Sequence, residues 1–266
     1  MKHCSSLIKC CWGVDMTDNY IKHFGTRIKR KETNQLTREN YCVPTDKVCY
    51  KRRKLIAQAQ AFYDANGRYP GLVPITYCNI PNEIFKDAEH YTELYVAELY
   101  RKNMENFDLN MRYFASLDEV RFRKAVTSFT KKYRMKEIAD LGEVSKVAGI
   151  YLLVLDNYKQ AYIGKAESDI KARILKHWSK QKEFDLLLHG SVNESIISID
   201  SFGALDTTRI FYREFPVWQI DQMEDKMTHA FPAPFLTNRV SGGLNAETDS
   251  GYRNVALAAS HRKREL

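Results

Sequence analysis

The hydrophobic and polar positions divide the chain into a mainly helical part and a part that mixes strands with helices. From Lys51 onward, apolar residues recur at the three-to-four spacing of one helix face and predict a helix that stops at NGRYPG. One or two further helices are predicted over 82–107, and another over 117–139 with Ser116 as its cap. Residues 1–50 show no sustained period, so we predict a weakly structured segment there.

After about residue 146 the spacing of apolar residues changes from that of helices to that of strands. Short apolar runs at 149–155 and 160–164 flank the polar turn DNYKQ and predict a β-hairpin. A helix over 168–180 follows, with Ser168 or Asp169 as the cap. The remaining predicted elements are a linker at 142–146, strands at 196–199 and 210–215, and a helix at 220–230.

This order predicts an α/β (α+β) fold in which a small mixed β-sheet is flanked by helices. The predicted organisation is a basic segment at 1–50, a helical domain at 51–145, a domain with the sheet at 146–250, and a tail at 251–266.

The charge pattern places the basic excess at the start of the chain. Residues 1–54 hold 13 of the 41 Lys and Arg residues and 5 of the 33 Asp and Glu residues, which leaves 28 of each kind for the rest. Runs such as RIKRK at 27–31 and KRRK at 51–54 suit phosphate neutralisation, although a solvated tail has the same composition. The predicted helix over 117–139 has a second basic face, which is either DNA-facing or solvated: Arg121, Arg123, Lys124, Lys131, Lys132, Arg134 and Lys136.

The remaining composition indicates a globular protein without a membrane span. No apolar run approaches the roughly 20 residues that such a span needs. The first residues lack the continuous apolar stretch of a signal peptide, so we expect a cytoplasmic protein, with Met1 or Met16 as its start. The six cysteines form no Cys-x-x-Cys pair, which favours free thiols over a metal cluster.

Candidate chemistry begins on the helix after the predicted hairpin. Arg173 and His177 are four residues apart and therefore share one helix face. Arginine offers a fork of donors that matches phosphate oxygens, and histidine donates a hydrogen bond or moves a proton near neutral pH. On a later predicted helix, Glu224 is suited to hold a hard divalent ion such as Mg²⁺, with Asp221 and Asp225 as rivals.

These residues occur in the order of a known motif set. GIY at 149–151 and YIG at 162–164 are followed by Arg173 with His177, then by Glu224, and then by Asn238 after a proline-containing turn. The stretch from about 147 to 245 thus resembles a GIY-YIG endonuclease domain, and the histidine resembles the restriction-enzyme-like members.

The resemblance implies an active site and a reaction. The implied site residues are Tyr151, Tyr162, Arg173, His177, Glu224 and Asn238, with Asn245 as a rival for the last position. The implied function is a metal-dependent DNA endonuclease that hydrolyses phosphodiester bonds. Glu224 would bind Mg²⁺ or Mn²⁺, and Tyr151 would be the general base towards water.

The role of such an enzyme stays open between restriction or defence, a mobile element, and repair. Cutting both strands with one site per chain favours a homodimer on DNA. The alternatives are a catalytically inactive DNA-binding module and a partner-dependent repair-complex subunit.

Overall fold

A four-stranded antiparallel sheet forms the centre of the molecule. The computed structural model describes residues 19–66, 84–188 and 191–238. In the sheet the strand order is β3-β6-β4-β5, and a separate two-stranded sheet pairs β1 with β2. The strands are β1 Tyr20–His23, β2 Thr26–Lys29, β3 Lys136–Ile138, β4 Gly149–Leu155, β5 Gln160–Ala166 and β6 Arg209–Glu214. The predicted α+β class is therefore confirmed, whereas the prediction of a mixed sheet is wrong, because all three strand pairs of the four-stranded sheet are antiparallel.

Helices cover both faces of the four-stranded sheet. The α-helices of the described residues are α1 Arg38–Tyr41, α2 Tyr50–Asn66, α3 Glu93–Ser116, α4 Glu119–Lys132, α5 Ile170–Ser179 and α6 Val217–Ala230. The sheet packs against α3 and α5 on one face and against α4 and α6 on the other. The predictions of the helix that starts near Lys51, of β4, β5 and β6, and of the helices α5 and α6 are confirmed, with ends that shift by a few residues. The predicted stop at NGRYPG lies outside the described residues.

Strand β4 is buried along its whole length because its two faces serve two separate cores. Side chains alternate across a strand. Tyr151 and Leu153 face a core shared with α3 and α5, whereas Ile150 and Leu152 face a core shared with α4 and α6. The basic helix α4 thus lies on the side of the sheet opposite Tyr151.

The N-terminal segment contains a hairpin that the sequence reading missed. Phe24 and Gly25 form a two-residue loop with φ of 43° and 69°, the positive values that a type I′ hairpin needs. A Cβ atom on Gly25 would lie 2.1 Å from the Asp140 carboxylate, so the turn also requires glycine for space. The prediction of a weakly structured segment is wrong for Tyr20–His23 and Thr26–Lys29.

Other predictions of local structure are also corrected. The helix expected over 117–139 ends at Lys132 because Arg134 takes a left-handed conformation, and β3 follows. Asp118 caps that helix, while Ser116 ends the preceding one. The expected strand at 196–199 is an irregular buried segment that leads into a 3₁₀ turn.

The predicted linker at 142–146 contributes Val144 to the folded core, whereas its other four residues are exposed. A 3₁₀ turn at Leu141–Val144 buries both of its end residues completely. Strand β3 pairs with β6, and Leu36 donates its backbone N–H to Asp206 at 2.8 Å. Residues on both sides of the predicted boundary near 145 therefore pack into the same cores, and the tail at 251–266 lies outside the described residues.

Two further predictions from the sequence, the free thiols and the lack of a membrane span, concern residues that the structure describes. Cys42 and Cys49 are free, and burial raises the pKa of each thiol to about 11. Within the described ranges, no helix is both long enough and apolar enough to cross a bilayer.

Candidate active site

The β4–β5 hairpin places the two motif tyrosines on one face of the sheet. Tyr151 pairs with Gly164 across the hairpin, and Leu153 pairs with Tyr162, so the tyrosines are diagonal neighbours. Their ring centroids are 6.3 Å apart. Tyr151 is fully buried, whereas Tyr162 is half-buried and lines an open cleft.

Gly164 provides the space that the Tyr151 ring occupies. A Cβ atom at this position would lie 2.4 Å from both Cζ and Oη of Tyr151. Because real Cβ atoms essentially never approach another heavy atom so closely, any side chain at 164 would displace the phenol. The glycine of the second tripeptide thus sets the position of the tyrosine of the first.

Helix α5 presents its polar face to this pair of rings. Asp169 caps the helix by accepting a hydrogen bond from the Ala172 N–H at 2.9 Å. Nε2 of His177 lies 2.9 Å from the Tyr151 hydroxyl, and the imidazole stands edge-on to Tyr162 with a centroid distance of 5.2 Å. Ile170 and Ile174 are fully buried on the other side of the helix, as their spacing predicts.

Asp200 completes a chain of hydrogen bonds that the sequence reading missed. Its Oδ1 lies 2.7 Å from Nδ1 of His177, and its Oδ2 pairs with the Lys180 ammonium. Burial raises the pKa of Asp200, but hydrogen bonds from His177 and Lys180 outweigh this and hold the pKa below its usual range. The carboxylate is therefore ionised and acts only as an acceptor.

The charge of Asp200 fixes the tautomer of His177. Since Asp200 accepts, Nδ1 carries the proton, and Nε2 is left as the acceptor for the Tyr151 hydroxyl. The order of donors is Tyr151 to His177 to Asp200. This arrangement can move a proton away from the phenol.

Both tyrosines are neutral phenols in this environment. Burial raises the pKa of Tyr151, the neighbouring Tyr162 adds to the rise, and the Arg173 guanidinium opposes it from hydrogen-bonding range. Burial also raises the pKa of Tyr162, and the Glu224 carboxylate adds to this effect. Tyr151 therefore needs an acceptor for its own proton if it is to take one from water.

Glu224 is a buried carboxylate beside these rings. Only 5% of the residue is exposed, and burial raises its pKa while Lys165 opposes the rise. Its Oε2 lies 3.2 Å from the Lys165 ammonium but makes no hydrogen bond of good geometry within the described residues. Lys165 is also 2.6 Å from the exposed Asp221. Of the three carboxylates expected as rivals, Glu224 is the buried one.

The donor set fits a lightly held magnesium or manganese ion. Mg²⁺ binds in proteins through one or two carboxylates and keeps several waters, which matches one buried carboxylate with an unsatisfied oxygen. The part of the chain that the structure describes contains no group of three or more His, Cys, Asp and Glu side chains placed for a metal. A closed, all-protein metal cage does not fit these residues.

Asn238 is fully engaged with the backbone of β5. Its Nδ2 donates to the Ile163 carbonyl at 2.7 Å, and its Oδ1 accepts from the Ile163 N–H at 3.0 Å. The adjacent Thr237 N–H bonds to the carbonyl of Ala161 at 2.9 Å. Asn238 thus holds the strand that carries Tyr162, which is a positioning role. Its rival, Asn245, lies outside the described residues.

The site opens into a strongly basic cleft. The cleft has a volume of about 270 Å³, and Tyr162 and His177 are part of its lining. Its charged lining is Arg173, Lys176, Lys180, Lys182 and Asp200. Four cations against one already paired carboxylate favour an anionic occupant.

Comparison of the chain with protein-family models, with curated proteins and with solved structures gives no match. The function is therefore argued from the residues and the geometry of this site.

Proposed function

We propose that the protein is a metal-dependent DNA endonuclease of the GIY-YIG type. The observation that carries the proposal is the hydrogen-bonded series Tyr151–His177–Asp200 at the foot of a cationic cleft. A tyrosine with a proton acceptor behind it is suited to activate water, and the cations are suited to bind the phosphodiester.

In the proposed reaction, water attacks the phosphorus atom while Tyr151 accepts its proton. The phenol proton passes at the same time to Nε2 of His177, and Asp200 stabilises the imidazolium that forms. A new bond joins the water oxygen to phosphorus, the bond to the leaving ribose oxygen breaks, and that oxygen takes a proton from solvent. This relay explains how a tyrosine with a raised pKa serves as a base.

Substrate binding opens the path to the buried phenol. Arg173 is exposed on α5 and lies within hydrogen-bonding range of Tyr151. A phosphate in the cleft attracts the guanidinium, because the fork of donors matches two phosphate oxygens. The hydroxyl of Tyr151 is then released towards the incoming water.

Glu224 would be the residue that holds the metal ion. A bound Mg²⁺ or Mn²⁺ supplies positive charge where negative charge develops on the phosphate oxygens. Lys165 lies between Glu224 and Asp221, and its ammonium opposes the rise that burial causes in the pKa of Glu224.

Replacement of Glu224 tests the assignment. Glu224→Gln should lower the rate of Mg²⁺-dependent plasmid nicking by at least about 10²-fold, since it removes the metal-binding charge, while DNA affinity stays close to that of the wild type. The matched control is Asp225→Asn on the same helix, which should nick at the wild-type rate. Nicking by Glu224→Gln at the rate of the control would contradict the proposed site.

A further inference from the structure

A second groove lies between the N-terminal hairpin and helix α5. It has a volume of about 550 Å³, and its walls come from β2, the residues that follow it, and one side of α5. The basic residues in its lining are Arg27, Lys29, Lys31, Lys176 and Lys180, and all five are exposed. The acidic residue in its lining is Asp200, whose carboxylate already contacts His177 and Lys180.

This groove adjoins the catalytic cleft. Lys176, Lys180 and Asp200 line both of them, so the basic surface extends from the site of Tyr162 to the hairpin. Lys176 and Lys180 are four residues apart and share one face of α5. Arg27 and Lys29 alternate along β2, about 6.6 Å apart at the rise of a strand.

The hairpin wall is fixed in place by aromatic packing and hydrogen bonds. His23 and Phe24 pack on Trp178 of α5, with centroid distances of 5.4 Å and 6.2 Å. Nε2 of His23 lies 3.1 Å from the Thr207 carbonyl, and the Phe24 carbonyl accepts from the Leu141 N–H at 3.0 Å. The groove is therefore preformed, which lowers the entropic cost of ordering its cations around a ligand.

We propose that this groove binds the sugar–phosphate backbone of the DNA strand that leads away from the scissile phosphate. The proposal rests on the proposed nuclease function and assigns the substrate path that this function leaves open. Rows of cations on a preformed surface contact phosphates and fix the register of the duplex, whereas they carry no base sequence information. The basic face of α4 is the less suitable path, because no residue of α4 lines either the catalytic cleft or the groove.

The test compares two pairs of substitutions on the same hairpin. Lys29→Ala with Lys31→Ala removes two groove cations, and Lys22→Ala with Arg30→Ala removes two exposed cations outside the groove lining. Binding of a short fluorescein-labelled duplex is measured by anisotropy in EDTA over a range of salt concentrations. The slope of log K against log[salt] should become shallower by about 1.8 for the groove pair, the value for two lost phosphate contacts, and stay unchanged for the control pair.

Two further measurements keep the outcomes distinct. Lys29→Arg with Lys31→Arg should retain the wild-type slope, and circular dichroism checks that every variant is folded. An equal change of slope in both alanine pairs, or no change in the groove pair, would overturn the proposed path. The cleavage assay is read separately. If the wild-type protein binds DNA through the groove but does not nick it, the nuclease function is refuted and the groove proposal stands. If the protein nicks DNA but its binding does not depend on the groove cations, the groove proposal is refuted and the nuclease function stands.

Discussion

The substitution Asp200→Asn tests the relay because it leaves the shape of the site intact and changes its hydrogen bonds. Asp200 directs one oxygen at His177 and the other at Lys180. Asparagine has a single acceptor oxygen, and the Lys180 ammonium can only donate. The amide oxygen should therefore turn to Lys180 and the amide N–H₂ to Nδ1 of His177, which forces the proton onto Nε2.

The expected magnitude follows from this change of tautomer. With its proton on Nε2, His177 can no longer accept from Tyr151, so the contribution of general base catalysis is lost, about 10²–10⁴-fold in single-turnover cleavage. Loss of hydrogen bonds to a buried charge should also lower the free energy of unfolding by about 2 kcal/mol at neutral pH. DNA affinity should change little, since the cations of the cleft remain.

The pH dependence of stability supplies an independent check. Because the pKa of Asp200 is held below its usual range in the fold, its stabilising contribution is present above the ordinary aspartate pKa of about 3.9. That contribution is lost as the pH falls through the lower folded value. Asp200→Asn should therefore remove part of the fall in stability on acidification, measured by urea denaturation.

A second substitution separates tautomer control from mere packing. Replacing Lys180 with Met in the Asp200→Asn background frees the amide oxygen to accept from Nδ1 of His177. Cleavage should then recover relative to Asp200→Asn, although Lys180→Met alone slows cleavage by removing a cleft cation. Long-range nitrogen–proton NMR of His177 reports the tautomer directly. A full cleavage rate in Asp200→Asn, or an unchanged Nδ1–H tautomer, would refute the relay.

Two other substitutions probe the frame around the relay. Gly164→Ala places a Cβ atom against the Tyr151 ring and should lower the free energy of unfolding by about 1–3 kcal/mol, measured by urea denaturation, together with the cleavage rate. Asn238→Ala leaves the backbone N–H and carbonyl of Ile163 without partners and should cost about 1–3 kcal/mol for each group that stays dry, on the same assay.

Controls for these two changes come from the same chain. Gly142→Ala, at a glycine where an added Cβ atom would approach nothing closer than 3.0 Å, should have a smaller effect than Gly164→Ala. Asn193→Ala removes an exposed amide and should leave stability within about 0.5 kcal/mol of the wild type. Equal effects in test and control variants would contradict the packing argument.

The hairpin β4–β5 and helix α5 could be predicted because their signals are local. Two apolar runs that contain β-branched and aromatic residues flank a polar turn, and Asp169 caps the helix within one turn of its own position. Tyr151, Tyr162 and His177, which are part of the motif set behind the resemblance, lie in this same short stretch. The structure brings these side chains into contact.

The features that the sequence did not predict depend on distant partners. Asp200 lies 23 residues beyond His177 in a 3₁₀ turn, and neither residue type nor spacing points to their contact. Strand β3 is three residues long and exists because β6 pairs with it. At 196–199 the apolar residues are buried by surrounding helices instead of by strand pairing, and an apolar run alone does not separate these outcomes.

The N-terminal hairpin had a local signal that was weaker. Exposed and partly buried residues alternate in the two strands on either side of the Phe-Gly turn. Phenylalanine, however, is an unusual residue at positive φ. Packing of Phe24 on Trp178 offers a tertiary reason for that choice. The choice of Phe24 at the turn therefore depends on a contact with a residue that is far away in the sequence.

The contact between Gly164 and Tyr151 has an evolutionary consequence. If Gly164 is replaced first, the new side chain takes the space of the Tyr151 ring. If Tyr151 is replaced first, position 164 no longer has to be glycine. Drift at either position thus relaxes selection on the other. The two residues should be inherited as a unit, so that descendants of this chain keep both or lose both.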